Sequence, residues 1–295
     1  MSQKQVGVVI LNYISYQVTE KCVESFQQQN SDNINVQIVV VDNCSPNESF
    51  EVLKEKYMGI DNITVVQTDK NLGFARGNNY GYKILKKIID PDFVITSNSD
   101  IQLKMAGLYS WIFKAYQEYD FGILGPSVYS IRGHFHQNPA ENASKNLHEV
   151  REYQRNLRRY LLKLRIKKFL KYEGKEKKHK HKQLENPYYK EIHLDKTLHG
   201  AFQIFSRRYL DIYDSLYDSR TFLYLEENIL KLRCDYENLP MVYLPNYEVN
   251  HFQAVSTDNL VKTNYDKGIF RSRNLLESYK VYESILKKHL EQSHD

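Results

Sequence analysis

Cysteine is scarce in this chain: Cys22, Cys44 and Cys234 are the only three among 295 residues. They form no CxxC pair and no metal-ligand spacing, which excludes a disulfide framework and fits a reducing compartment. Nowhere do eighteen apolar residues follow one another, so no segment reads as a membrane span. The opening residues, Met1 to Gln5, lead straight into a strand-like run without the apolar core of a signal peptide, and a cytoplasmic location is expected. No GxGxxG follows the first apolar run, which disfavours a dinucleotide-binding fold. GxxxxGK(S/T) is absent throughout, which removes the P-loop NTPases.

What is present is a composition with a real core, 41% hydrophobic and 26% charged, in a chain long enough for one large domain or two ordinary ones. The formal net charge of +5 is unevenly spread. Between Lys145 and Lys182, fifteen Lys and Arg stand against four Glu, so this segment carries +11 and the remainder −6. The basicity belongs to one segment and not to the fold.

Strand-like runs at Val6–Leu11, Val36–Val41 and Ile63–Gln67, and a fourth from Phe93 toward Asp100, alternate with helical patterns near Tyr16–Gln29, Glu48–Tyr57 and on to about Ile89. Near-continuous apolar strands alternating with helices predict an α/β fold, its parallel sheet covered on both faces. A helix near Lys104–Tyr119 and a strand at Gly122–Pro126 follow. Leu147–Leu170 is then an amphipathic helix, with Val150, Tyr153, Leu157, Tyr160, Leu161 and Leu164 at three-and-four spacing among Arg and Lys. The tract Lys175–Gln183 is expected to be disordered; its His179 and His181 read as a solvated linker or a short metal-binding cluster. Further strands are expected at Leu198–Phe205 and Met241–Leu244, a short helix near Arg207–Tyr213, and a closing helix at Arg271–Leu290.

Polar clusters end the first, second and fourth strands at one sheet edge, where open α/β sheets bind ligands. Asn98-Ser99-Asp100 there is a hard oxygen site suited to Mg²⁺ or Mn²⁺, or simply a turn. Asp42 is a binding carboxylate or a helix cap, and Arg76 a phosphate partner or a surface charge. Glu226 and Glu227 follow an aromatic approach and read as an acid–base pair or as a solvated helix start. His199 is read as a packed or hydrogen-bonded histidine.

Several segments together resemble a family 2 glycosyltransferase with the GT-A fold, of the bacterial polysaccharide type that includes rhamnosyl- and galactosyltransferases. Val9-Ile10-Leu11-Asn12-Tyr13 resembles the opening strand of that family, and Val40-Val41-Asp42-Asn43-Cys44-Ser45 its nucleotide-base loop. Asn71-Leu72-Gly73-Phe74-Ala75-Arg76-Gly77-Asn78-Asn79 is similar to its "N-GF-xGxN" loop. Asn98-Ser99-Asp100 stands where the family has its metal motif, and Thr221-Phe222-Leu223-Tyr224-Leu225-Glu226-Glu227 resembles its catalytic segment. The resemblance implies a Rossmann-like, mostly parallel central sheet with helices on both faces, interrupted by a basic helical insertion. It implies donor contacts from Asn12, Tyr13, Asp42, Asn43, Gly73, Arg76, Asn79, Asn98 and Ser99, and a Mn²⁺ or Mg²⁺ ion held by Asp100 and His251. Glu227 aligns with the catalytic base, with Glu226 before it, and Ser256 and Thr257 complete the segment begun by His251. Three departures accompany the match: Asn98 replaces the first metal-motif aspartate, Glu227 stands where the family has a catalytic aspartate, and Ile229 replaces an acid.

The expected division is a nucleotide-sugar half over residues 1–140, the basic insertion over 141–190, an acceptor half over 191–270 and a C-terminal helix over 271–295. The implied activity is inverting transfer from a UDP- or dTDP-sugar to a glycan or lipid-linked glycan of a cell-surface polysaccharide. Two other readings stand beside it: an inactive nucleotide-sugar binder, and a tether acting through the basic insertion. Residues 145–182 read either as structural cover or as a contact with an anionic membrane, which places the protein on the inner face of the plasma membrane. No RNP, KH or zinc pattern accompanies the insertion, so nucleic acid is not expected as a partner.

Overall fold

The computed structural model describes residues 3–29, 32–170, 185–253 and 264–292. The first half is built as anticipated, with β1 (Lys4–Asn12), α1 (Tyr16–Gln27), β2 (Ile34–Asp42), α2 (Ser49–Tyr57), β3 (Ile63–Gln67), α3 (Gly73–Leu85) and β4 (Phe93–Asn98). Next come β5 (Ile101–Leu103), α4 (Leu108–Tyr119), β6 (Ile123–Ser130), β7 (Phe135–His136) and α5 (Leu147–Phe169). The chain closes with β8 (Phe202–Ser206), α6 (Arg207–Ile212), α7 (Glu226–Tyr236), β9 (Met241–His251) and α8 (Asn264–Gln292).

One sheet runs through both halves in the order β3-β2-β1-β4-β8-β6-β9-β5, with β7 beside β6. β1 lies parallel to β2 and β4, and β2 to β3, which sets Asn12 opposite Asp42 and Leu11 opposite Asn98. Beyond β4 the sheet is mixed, because β8 is antiparallel to both β4 and β6. Alternation along β1 explains the two-faced burial. Val6, Val8 and Ile10 pack with Phe26, Leu53 and Ile112 on one side, and Val9 packs with Ala75, Leu85 and Tyr217 on the other. Gly81 lets α3 settle on the sheet, since a Cβ there would lie 2.5 Å from Val9 and 2.7 Å from Val41.

The strand expected at Leu198–Phe205 begins only at Phe202, leaving Leu198–Gly200 as a loop that carries His199 to the sheet edge. β9 runs on past Leu244 to His251, so that histidine ends a strand instead of following one. Gly107, at φ +83°, delays the start of α4 to Leu108. The C-terminal helix starts earlier than its apolar pattern suggests, at Asn264.

α5 is started by Asn146, whose side chain accepts from the backbone N–H of His148 at 2.8 Å. Glu149 in its first turn and Lys167 and Lys168 in its last complement the helix dipole. Val150 joins Ile229, Leu232, Tyr282 and Leu286 in a separate apolar cluster that unites α5, α7 and α8. Gly268 marks a tight approach of α8 to α5, as a Cβ there would lie 3.0 Å from Leu164. The expected disordered tract with His179 and His181 lies outside the described residues, as do Ser256 and Thr257.

Candidate active site

Parallel register brings the C-terminal ends of β1, β2 and β4 together, and the polar residues found there form an interlocked rim. Asp42 is fully buried, and its carboxylate is taken up internally. Oδ2 accepts from Asn12 Nδ2 at 2.8 Å and Ser45 Oγ at 2.6 Å, while Oδ1 accepts from the Ser45 N–H at 2.9 Å and Gln67 Nε2 at 3.2 Å. A carboxylate with four such donors fixes the loop around it. Asn43 links that loop to the next one: its Oδ1 accepts from the Leu72 N–H at 2.9 Å, and its Nδ2 donates to the Gly73 carbonyl at 3.2 Å.

Gly73 sits at φ +77°, and the close approach it permits is to the segment that leads from Phe222 to Glu227. A Cβ there would lie 2.2 Å from the Phe222 carbonyl oxygen, which accepts the Phe74 N–H at 2.9 Å. Asn79 is committed in the same direction, bonding the Tyr217 carbonyl at 2.8 Å through Nδ2 and the Tyr217 N–H at 3.0 Å through Oδ1. Arg76 is exposed and donates to the Leu72 carbonyl at 3.1 Å, and Tyr13 is half-buried beyond β1. Asn98 is half-buried at the end of β4, and Ser99 is buried.

Asp100 and His251 meet because β5 pairs antiparallel with β9, setting Ile101 opposite His251. Asp100 Oδ1 and His251 Nε2 are 3.3 Å apart, and both residues are largely buried. His251 Nδ1 lies 2.6 Å from Gln137 Oε1, and the Gln137 amide nitrogen is 3.3 Å from His199 Nε2. Desolvation and the like charge of His251 carry His199 down to about 3, so it is neutral at physiological pH. Its Nδ1 accepts from the Ala201 N–H at 3.1 Å.

Among the described residues, no cluster of three or more His, Cys, Asp and Glu is arranged to hold a metal. The Asp100–His251 pair nonetheless fits two adjacent positions of an octahedral divalent ion, whose neighbouring ligands at about 2.1 Å lie about 3 Å apart. One carboxylate oxygen and one imidazole nitrogen suit Mn²⁺ or Mg²⁺ when donor phosphates and water complete the shell.

Tyr224 and Leu225 both have left-handed backbones, at φ +75° and +66°, and this turn delivers Glu226 and Glu227 to the N-terminus of α7. Glu226 is 5% exposed, and its Oε1 has no hydrogen-bond partner. Desolvation, with the adjacent Glu227 charge second, pushes its carboxyl up to about 8. Desolvation raises Glu227 as well, although its side chain keeps some access to solvent. Its Oε2 lies 4.0 Å from where a Gly200 Cβ would stand, next to His199 in the chain. Glu227 and the Asp100–His251 pair therefore flank the same short loop.

A cavity of about 610 Å³ opens beside the Tyr224–Leu225 turn. It is lined by Tyr153 and Tyr160 of α5, Tyr224, and Lys267, Phe270 and Arg271 of α8. Arg271 lies over the Tyr224 ring, 5.8 Å from its centroid.

The structure thus gathers Asp100, His251 and Glu227 around the Leu198–Gly200 loop, with Glu226 buried next to Glu227, and binds Asn12, Asp42, Asn43 and Gly73 into the adjoining rim. Arg76 stays on the surface, and Asn79 is spent on the Tyr217 loop. Gln137 and His199 are the members that sequence reasoning misses as functional. Gln137 lies in a polar stretch without period or motif, and only pairing of the sheet edge reveals it.

The family model described as "Glycosyl transferase family 2" matches residues 7–208, more than two thirds of the chain. A search of curated protein sequences finds no match. Among solved structures, S. aureus TarS 1-349 superposes with TM-score 0.52 at 14% identity, covering 87% of this chain and 63% of that one. The complex of the same TarS fragment with UDP gives TM-score 0.50 at 15% identity over 85% of this chain and 61% of that one. GalNAc-T7 with UDP, GalNAc and Mn²⁺ gives TM-score 0.56 at 12% identity, covering 84% and 43%. The chain thus spans less than two thirds of each of these structures, and at such identity they speak for the fold. A GT-A-like sheet, a rim of interlocked polar loops and a family match across most of the chain lead to one conclusion: this protein belongs to glycosyl transferase family 2.

Proposed function

We propose that the protein transfers a sugar, with inversion, from a nucleoside-diphosphate donor to a glycan or lipid-linked glycan acceptor of a cell-surface polysaccharide such as a capsule. One observation carries this reading: a carboxylate with raised proton affinity, Glu227, flanks the same loop as the Asp100–His251 pair. UDP in the TarS complex, and UDP with Mn²⁺ in GalNAc-T7, support a UDP- or dTDP-sugar donor and a divalent ion. The rim loops built on Asp42 and Asn43 form the donor side, and Asn98 and Ser99 border it. The cavity beside Tyr224 suits the acceptor, because sugar rings stack on tyrosine faces and Arg271 and Lys267 favour an anionic chain.

Asp100 and His251 would hold the divalent ion, which supplies charge neutralisation at the departing diphosphate. Glu227 takes the acceptor hydroxyl proton as that oxygen attacks the anomeric carbon, a contribution of typically 10²–10⁴-fold. Burial raises both carboxyls, and Glu227, the one that keeps access to solvent, is the member placed to act as the base. A single displacement with one base inverts the anomeric centre.

Glu227→Gln tests the assignment. Turnover of a UDP- or dTDP-sugar with Mn²⁺ should fall at least a hundredfold, while thermal stabilisation by the nucleoside diphosphate is kept. Undiminished turnover in the variant removes Glu227 as the base. Nucleotide-dependent stabilisation of the wild type without any transfer or hydrolysis leaves a sugar-nucleotide binder.

A further inference from the structure

The helix α5 has two apolar faces, and only one of them is used in packing. Successive helical residues are turned by about 100°. Val150, Leu161 and Leu164 fall on the side buried against α7 and α8. Leu162, Ile166, Phe169 and Leu170 form a second stripe, roughly opposite, at one-turn spacing. Their exposures are 59%, 49%, 86% and 66%, a run of exposed large apolar side chains that no other described element matches. Lys163 and Arg165 flank this stripe and Arg155 and Arg159 continue it toward the N-terminus, and among the described residues none of the four has an ion-pair partner. Two other basic residues of the helix are paired with α8: Arg151 binds Glu283 at 2.8 Å, and Lys168 pairs with Asp266. Within α5 the acids are Glu149 and Glu152, both in its first two turns.

We propose that this outer face of α5 lies in the headgroup region of an anionic lipid bilayer, with Leu162, Ile166, Phe169 and Leu170 inserted to the acyl boundary and the Arg and Lys rim on the lipid phosphates. Three features favour lipid over other occupants. The stripe is narrow and rimmed by cations on both sides, so a second copy of the chain would set like charges against each other. A nucleic acid would use the cations but leave four apolar side chains in water. An interfacial helix requires this combination of an apolar stripe and a basic border on a helix that is polar over most of its length. Among the described residues no helix is long and apolar enough to cross a membrane, so the contact would be a surface one. Such a position brings a lipid-linked acceptor to the cavity on the inner side of the same helix.

The test reads lipid contact and not transfer, so its result is independent of the role of Glu227. Phe169→Trp places a reporter on the stripe, distinguishable from the native Trp111 by difference against wild type. With phosphatidylglycerol-containing vesicles, its emission should shift to the blue and be quenched by brominated acyl chains, with neither effect on pure phosphatidylcholine. Partitioning of the full chain should fall at least tenfold in Leu162→Ser/Phe169→Ser and in Arg159→Glu/Arg165→Glu, with the circular dichroism spectrum unchanged. Raising salt from 50 to 500 mM should also weaken it. Three results would overturn the proposal: no vesicle binding at low salt, binding without quenching of the Phe169→Trp emission, or a concentration-dependent dimer that the Leu162→Ser/Phe169→Ser change dissolves.

Discussion

Glu226→Gln should reverse the order of stability between variant and wild type as pH rises. Glu226 is nearly inaccessible, its Oε1 lacks a hydrogen-bond partner, and a second carboxylate adjoins it. Unfolded, it ionises near 4.5; folded, only near about 8. Between these values the native chain keeps a proton that the unfolded chain has lost, so stability falls as pH rises through that window. Ionising the folded carboxyl costs at most about 5 kcal/mol at 1.36 kcal/mol per pH unit. Relaxation around the new charge reduces this, and a loss of about 2 kcal/mol or more between pH 5 and pH 8.5 is expected. The glutamine cannot ionise, so the variant escapes this loss. Burying its NH₂ without a partner costs about 1 kcal/mol, so it should be slightly less stable than wild type at pH 5 and more stable at pH 8.5. Urea denaturation midpoints of both proteins, measured from pH 5 to 9 at constant m, give the difference with all shared titrations cancelled. Parallel curves, or a wild type that gains on the variant as pH rises, would refute the reasoning.

Two further outcomes follow from the contacts around the site. Gly73→Ala forces a Cβ to within 2.2 Å of the Phe222 carbonyl oxygen on a backbone at φ +77°. It should lose about 3 kcal/mol in denaturation and most of its transfer activity, because the donor loop and the catalytic segment separate together. Glu283→Gln should loosen α5, since Glu283 accepts from Arg151 at 2.8 Å, Gln154 at 2.7 Å and Lys287 at 2.9 Å, which lowers its carboxyl to about 2. That stabilisation is present above 4.5 and lost as pH falls toward 2. Because Arg151 and Lys287 are about half exposed, the variant should be about 1 kcal/mol less stable at pH 7 and indistinguishable from wild type near pH 2.

The first half of the fold is legible because each strand is an unbroken apolar run ended by polar residues. Val36–Val41 and Ile63–Gln67 have no helical alternative of comparable burial. What escapes the sequence is pairing. The antiparallel entry of β8 between β4 and β6 has no local signature, and neither does the three-residue β5 whose register joins Asp100 to His251. Motif residues are found by type, but their partners are not. Asp42 looks like a free ligand in the sequence, yet in the fold it is taken by Asn12, Ser45 and Gln67. Asn79 likewise binds the Tyr217 loop. On α5, three-and-four spacing identifies Leu161 and Leu164 as packed but counts Tyr153 and Tyr160 among them. Both of these line the cavity, because α8 closes only one side of that face.

The segment from Phe222 to Glu227 is where these contacts converge, and its geometry explains why the site tolerates one buried and one half-buried carboxylate side by side. Its first carbonyl is held by the Phe74 N–H of the donor loop, and its second, on Leu223, by Ser278 of α8 at 3.0 Å. Held at both points, Tyr224 and Leu225 stay in left-handed conformations that cost of order 1–3 kcal/mol each. That strain turns the chain so sharply that Glu226 and Glu227 open α7 against its N-terminal dipole, the one backbone position that favours negative charge. A relaxed turn would keep the helix and lose the placement of its acids. The Gly73 loop, the C-terminal helix and the glutamate pair are thus one mechanical unit. A ligand that grips Tyr224 or Arg271 from the cavity therefore bears on the same turn that aims Glu227.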